Sequence, residues 1–143
     1  HIAENGDPYS WQVKETVSAI VRVLAIDHLD YTVCYQSRVG RLKWLSPYTE
    51  DEIRRAGADK APIVMVPVSF VSEHSETLVE LDIEYRHLAE KNGVPGYERV
   101  AALGTDAFFI EGLAQLCRQA TGAGVCSYAG TRACPIQFEH CPC

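Results

Sequence analysis

The sequence has neither a long apolar run nor an excess of basic residues. No run approaches the ~20 apolar residues of a membrane-spanning helix, and no basic-then-apolar secretion signal opens the chain. Thirteen Lys and Arg residues stand against 19 Asp and Glu, giving a net charge of -6. The chain therefore has no cationic excess for neutralising nucleic-acid phosphates. We expect a soluble, unsecreted, cytoplasmic protein that does not bind nucleic acid, with peripheral association with a membrane left open.

The length of 143 residues suits one domain or half of a larger one. The sequence begins at His1 without an initiator Met, which suggests a processed form or a fragment. It contains no internal repeat and no low-complexity tract.

Four helices are predicted from the pattern of the chain. Apolar residues at 13, 17, 20, 21 and 24 recur with a helical period, which predicts a helix over about 10–25. Thr49, followed by three acids, predicts the cap of a second helix that ends at Gly57. A third helix is expected to follow residue 72, and a fourth to run over about 106–119.

Three short apolar segments alternate with these helices and predict strands at 31–36, 62–70 and 98–102. The second is almost continuously apolar, as in a central strand covered on both faces. This alternation predicts an α/β fold with a parallel sheet flanked by helices over 1–120. Residues 121–143 form an irregular, Cys-rich tail. Ligands of such sheets bind beyond the carboxyl ends of the strands, where Trp44 and the start of the third helix are expected.

An acidic row lies on the third helix. Glu76, Glu80 and Glu84 are spaced by four, and like charges at this spacing repel by roughly 0.2–0.5 kcal/mol per pair. A bound cation, or a proton passed along the row, would remove that penalty. His74 converges with Glu76 only if the turn is irregular or contains a π-bulge. Such a pair suits a divalent ion such as Fe²⁺ or proton transfer; the alternative is a solvated helix capped by Ser72.

Two other groups are candidate sites. Just beyond the first strand lie an aromatic, an amide, a hydroxyl and a cation, followed by an indole on which an aromatic ligand could stack, namely Tyr35, Gln36, Ser37, Arg38 and Trp44. Alternatively the indole covers the end of the sheet.

The tail carries Cys134, Cys141 and Cys143, with Cys126 as a local fourth thiol for an iron–sulfur or zinc site. A disordered, reduced tail is the other interpretation.

Taken together, these segments resemble the C-terminal half of ferrochelatase over roughly residues 5–120. The matching motifs are Gly-Asp-Pro-Tyr at 6–9, Tyr-Gln-Ser-Arg-Val-Gly at 35–40, Trp-Leu-x-Pro at 44–47, Val-Pro-Val-Ser-Phe-Val-Ser-Glu-His-Ser-Glu-Thr-Leu at 66–78 and Glu-Leu-Asp-Ile-Glu-Tyr at 80–85. The resemblance implies a chelatase-like, Rossmann-like half and a lyase of haem biosynthesis that inserts Fe²⁺ into a porphyrin, either protoporphyrin IX or coproporphyrin III.

The resemblance also implies residue roles. Glu76 matches the carboxylate at the metal-insertion site, His74 its neighbour in the motif, Glu80 and Glu84 a path for metal or protons, and Trp44 a residue beside the porphyrin. In cluster-bearing members, three tail cysteines join a fourth from the other half of the enzyme to hold [2Fe-2S].

The principal family histidine lies upstream of the Gly-Asp-Pro-Tyr turn, in a motif that does not contain His1. The N-terminal half is therefore expected to be missing, and the chain alone to be inactive. A related tetrapyrrole chelatase, a non-catalytic porphyrin- or iron-binding module and a tail that holds zinc remain open.

Overall fold

The computed structural model describes residues 6–36, 44–120 and 131–141. Its elements are four α-helices, one π-helix and two strands within these ranges. In chain order they are α1 (Tyr9–Leu24), α2 (Thr49–Asp59), β1 (Ile63–Met65), the π-helix (Glu76–Glu84), α3 (Tyr85–Lys91), β2 (Tyr97–Arg99) and α4 (Ala107–Ala120). None of the described helices is long and apolar enough to cross a membrane.

Two compact units divide the chain. One is Thr16–Ala102, and the other combines the described residues of His1–Glu15 and Leu103–Cys143. The predicted boundary between 120 and 121 adjoins residues 121–130, which lie outside the described ranges, and it stays a prediction.

The larger unit contains a two-stranded parallel sheet in which Ile63 pairs with Tyr97 and Met65 with Arg99. Helices pack around this sheet on a small core. The buried members of that core are Ile53, Leu81, Tyr85, Ala89 and Tyr97. The α/β class predicted from the alternating pattern is therefore confirmed.

The predicted strand at 31–36 was wrong. Within the described residues, only Tyr35 forms a bridge there, in parallel with Tyr48. Its N–H donates to the carbonyl of Pro47 at 2.9 Å, and its own carbonyl accepts the N–H of Thr49 at 3.1 Å. A β-branched and aromatic run becomes a strand only where a neighbouring segment pairs along its length.

The predicted strand at 62–70 is shorter than expected, because only Ile63–Met65 pairs. Pro67 has no N–H to give a sheet, and beyond it the chain turns, with the N–H of Phe70 donating to the Pro67 carbonyl at 3.2 Å. The expected burial on both faces was also wrong, since Val64 is 67% exposed.

Both predicted ends of α2 were wrong. Tyr48, in extended conformation, occupies the N-cap without a side-chain bond, and Thr49 instead donates its hydroxyl to the Cys34 sulfur at 3.5 Å. The helix continues past Gly57 to Asp59, and the left-handed residue after it is Lys60. Gly57 has a packing role, because a Cβ there would lie 2.4 Å from the Asn92 carbonyl oxygen.

Two other predicted helices, α1 and α4, are confirmed within a residue or so of their bounds. In α4 the start is fixed by Asp106, whose Oδ1 accepts the N–H groups of Phe108 at 2.9 Å and Phe109 at 3.2 Å.

Candidate functional site

His74 and Glu76 meet at the turn between β1 and the π-helix. The Nδ1 atom of His74 lies 2.6 Å from Oε2 of Glu76, although a regular helix would point residues two apart to different sides. His74 and Glu76 therefore converge, as expected if the turn is irregular. The alternative in which Ser72 caps the helix is not, since the π-helix begins at Glu76 with Ser75 before it.

Thr77 fixes the local path of this turn. Its buried hydroxyl accepts the His74 N–H at 3.0 Å and lies 3.1 Å from the His74 carbonyl oxygen. The ring of Phe70 packs edge to face against the imidazole, with centroids 4.6 Å apart. Backbone and ring of His74 are thus both restrained.

Glu76 carries a negative charge that solvent can reach. The pKa of its carboxyl is lowered by the Ser75 hydroxyl, which donates to Oε2 at 2.9 Å, by a backbone N–H and by His74. Side-chain exposures of 46% for Glu76 and 34% for His74 leave room for a ligand. The pair can bind a cation or take up a proton.

Glu80 lies one turn further along the π-helix and is held by two neutral donors. Gln36 donates its amide to Oε2 at 2.9 Å, and Tyr85 donates its hydroxyl to Oε1 at 3.1 Å. Burial, and then the charge of Glu80, raise the pKa of Tyr85, so this phenol stays a donor. Glu84 is exposed at the end of the same helix.

Trp44 is linked to the acidic helix through Gln36. The indole Nε1 donates to the Gln36 carbonyl at 2.9 Å, and the Gln36 amide also reaches the Glu76 carbonyl at 3.4 Å. Trp44 is 43% exposed, whereas Tyr35 is buried. The candidate residues Ser37 and Arg38 lie outside the described residues.

Sequence reasoning selected neither Thr77 nor Arg99. The guanidinium of Arg99 donates to Asp82 and to Glu73, on either side of the His74–Glu76 pair along the chain. No local pattern indicates these contacts, because the partners are 17 and 26 residues from Arg99. Gln36 was visible in the sequence as a polar residue of the candidate site, since it is an amide within the motif that also contains Tyr35.

Of the tail cysteines, Cys134 and Cys141 lie within the described residues. Cys134 is buried, and its sulfur accepts the Gln12 amide at 3.7 Å. Arg132 folds this segment by donating to the carbonyl of Cys134 at 3.1 Å and to that of Phe138. Cys126 and Cys143 lie outside the described residues. Among residues 6–36, 44–120 and 131–141, no three His, Cys, Asp or Glu side chains are grouped as for a metal.

Comparison with known proteins gives one family. The family model described as Ferrochelatase matches residues 1–121. A ferrochelatase of Rickettsia felis is 52% identical over 146 residues, covering 99% of this chain and 42% of that protein. Ferrochelatases of Caulobacter vibrioides and Pelagibacter ubique are 50% and 48% identical, over 96% and 98% of the chain. The chain spans about two fifths of the length of these curated relatives.

Proposed function

This chain belongs to the ferrochelatase family, and from that premise we propose that it supplies the metal-insertion side of a site that places Fe²⁺ in a porphyrin. One observation carries the proposal: His74 and Glu76 share a hydrogen bond of 2.6 Å on a turn that solvent can reach. In this reaction iron is the substrate.

Insertion exchanges two protons for one metal ion. Two pyrrole N–H bonds break, the nitrogen electron pairs bind Fe²⁺, and two protons leave. Glu76 accepts each proton in turn as its carboxylate and releases it to the acidic row or to water, while His74 orients that carboxylate. A hydroxyl, a backbone N–H and an imidazole lower the pKa of Glu76, so it enters the reaction ionised and able to accept a proton.

Glu80 and Glu84 extend the site away from the porphyrin as a path for metal or protons. In support, Glu80 lies one turn beyond Glu76 on the π-helix, and Gln36 and Tyr85 hold its carboxylate oxygens at 2.9 and 3.1 Å. Trp44 stacks on the porphyrin, and Tyr35, Ser37 and Arg38 complete the proposed porphyrin-binding group.

The rest of the site is proposed to come from the portion of the relatives that this chain does not cover. That portion supplies the other wall of the porphyrin cleft and the upstream histidine of the family. The proposed location of the reaction is the cytoplasm, with the enzyme either free or peripheral at a membrane, in keeping with the cysteine content of the tail.

The tail is proposed to hold a [2Fe-2S] cluster through Cys134, Cys141 and Cys143, with Cys126 or a cysteine from elsewhere in the protein as the fourth ligand. The described part fits, because a buried sulfur that accepts an amide N–H is the environment in which cluster thiolates are tuned. When bound, such a cluster supplies one-electron redox chemistry.

Fe²⁺ insertion into protoporphyrin IX and coproporphyrin III tests the proposal. The chain is assayed alone and combined with a ferrochelatase N-terminal portion that carries the upstream histidine. We expect turnover in the combination and an at least ~100-fold loss in Glu76→Gln, which keeps the shape but removes the base. Glu90→Gln, an exposed acid of α3, is the matched control.

Three results would contradict the proposal. Turnover retained by Glu76→Gln would remove this carboxylate from the chemistry. Faster insertion of another divalent metal, or only into another tetrapyrrole, would indicate a related chelatase. Porphyrin binding without insertion in either preparation would indicate a binding module.

A further inference from the structure

Arg99, the last residue of β2, joins three elements through one side chain. Its Nε donates to Oδ1 of Asp82 at 2.7 Å, and its Nη2 donates to the other oxygen of the same carboxylate. Its Nη1 donates to Oε1 of Glu73 at 2.7 Å. The side chain is only 8% exposed. One planar cation therefore ties the strand both to the π-helix and to the turn that precedes it.

Glu73, the residue directly before His74, is held from several sides. It accepts the N–H of Ala102 at 2.9 Å as well as the Arg99 guanidinium. The Thr77 hydroxyl and Arg99 lower the pKa of Glu73 to about 2. Thr77 accepts the N–H of His74 at 3.0 Å, so the residue after Glu73 is itself held by the first turn of the π-helix.

The geometry of the His74–Glu76 pair depends on this turn. Side chains two residues apart meet only in an irregular backbone, so a small shift of residue 73 would separate them. A misplacement of about 1 Å can cost on the order of 100-fold in rate. Lysine cannot replace the contact, because an ammonium lacks the planar fork that binds one carboxylate with two N–H groups and reaches a second.

We infer that Arg99 is a positioning residue for the His74–Glu76 pair: its guanidinium holds the turn against the π-helix so that imidazole and carboxylate share a hydrogen bond. Arg99 touches neither reacting group and acts through Glu73 and Asp82. The catalytic consequence rests on the proposed function, whereas the structural consequence does not.

The test compares Arg99→Lys with Arg86→Lys in the complete protein. Arg86 is a matched control, because it also contacts Asp82, through the backbone oxygen at 3.3 Å, and stacks on Tyr97. The hydrogen bonds of Arg86 go to the carbonyls of Asp82 and Tyr97 rather than to Glu73. Glu73→Gln is the milder variant, since it weakens the contact of Arg99 with residue 73 and leaves the ion pair of Arg99 with Asp82 in place.

Two readouts are taken. The ring ¹⁵N resonances of His74, identified by their loss in His74→Gln, report its hydrogen bond with Glu76 at one fixed pH. We expect them to move in Arg99→Lys and Glu73→Gln, and to stay in Arg86→Lys. We also expect Arg99→Lys to lower kcat for Fe²⁺ insertion by about 10- to 100-fold, with the porphyrin KM within about twofold of wild type.

Unchanged His74 resonances in both Arg99→Lys and Glu73→Gln would overturn the inference. So would equal losses of kcat in Arg99→Lys and Arg86→Lys at equal losses of Tm. The spectra need no turnover. If Glu76→Gln kept full turnover, the proposed function would be contradicted, but the role of Arg99 would still be decided by the spectra.

Discussion

The imidazole Nδ1 of His74 lies 2.6 Å from Oε2 of Glu76, with only Ser75 between the two residues in the chain. At this distance the two side chains share a hydrogen bond. The carboxylate also accepts the Ser75 hydroxyl. The pair therefore presents one polar unit to solvent, and a substitution at either residue changes both.

The acidic row is expected to give graded effects on insertion. Glu76→Gln removes the base that we propose meets the porphyrin, so it should cost at least about 100-fold in kcat. Glu80→Gln should cost less, because the amide can keep contacts with Gln36 and Tyr85 while losing the charge. Glu84→Gln, at the exposed end, should cost least. Initial rates at saturating Fe²⁺ and porphyrin measure the series, and an equal loss at all three positions would contradict an ordered path.

Trp44 is expected to affect porphyrin binding more than chemistry. Trp44→Phe removes part of the aromatic surface and the bond from Nε1 to the Gln36 carbonyl. Aromatic stacking contributes about 0.5–1.5 kcal/mol beyond area burial, so loss of part of the indole surface should raise the porphyrin Kd about fivefold while kcat changes less. Fluorescence titration with the porphyrin measures this. Trp11→Phe is the control, since Trp11 packs against Phe138 in the other unit; equal weakening by both would contradict the assignment.

The cysteine tail is expected to give the protein visible colour. Anaerobically purified protein should absorb in the visible range, and Cys141→Ser should bleach it, whereas Cys117→Ser on the exposed side of α4 should not. Electron paramagnetic resonance after dithionite reduction checks the cluster. A colourless protein that contains one zinc would indicate a structural site instead, because Zn²⁺ has a filled d shell.

Local sequence signals predicted α1 and α4 well, although both predicted ends of α2 were wrong. The apolar period of α1 acts within one or two turns of chain, and both α1 and α4 appear close to their predicted bounds. Strands depend on partners elsewhere in the chain, and for that reason the run at 31–36 did not pair as expected.

The candidate site was predictable only in part. The acidic row and His74 are visible in the sequence, and the resemblance gave them a role. The contact of Arg99 with Glu73 crosses 26 positions, so no periodic pattern signals it. The π-helix likewise reflects packing around Leu81, whose carbonyl accepts the Tyr97 hydroxyl at 2.8 Å in the core.

Gly57 and Gly112 form a matched pair for a packing prediction. A Cβ at Gly57 would lie 2.4 Å from the Asn92 carbonyl oxygen, whereas nothing lies within 4 Å of a Cβ at Gly112. Gly57→Ala should lower the free energy of unfolding by about 1–3 kcal/mol. Gly112→Ala should raise it by about 0.5–1 kcal/mol, because alanine is favoured over glycine inside a helix. Urea unfolding followed by circular dichroism checks both, and a neutral Gly57→Ala would mean that α2 and α3 separate easily.

The lowered pKa of Glu73 predicts that the stability difference between wild type and Glu73→Gln depends on pH. Its pKa is lowered from 4.5 to about 2 in the folded protein by the Thr77 hydroxyl first and the Arg99 guanidinium next. A carboxyl whose pKa is lower in the folded than in the unfolded state stabilises the fold at pH values above its unfolded pKa. This contribution is lost as the pH falls toward the folded pKa. Wild type should therefore exceed Glu73→Gln in unfolding free energy near neutral pH, and the gap should shrink at about pH 3. Thr77→Val removes the hydroxyl, raises the pKa of Glu73 and should move this loss to higher pH. Urea unfolding at several pH values measures all three proteins, and a gap that stays constant or widens on acidification would show that Glu73 does not stabilise the fold through its charge.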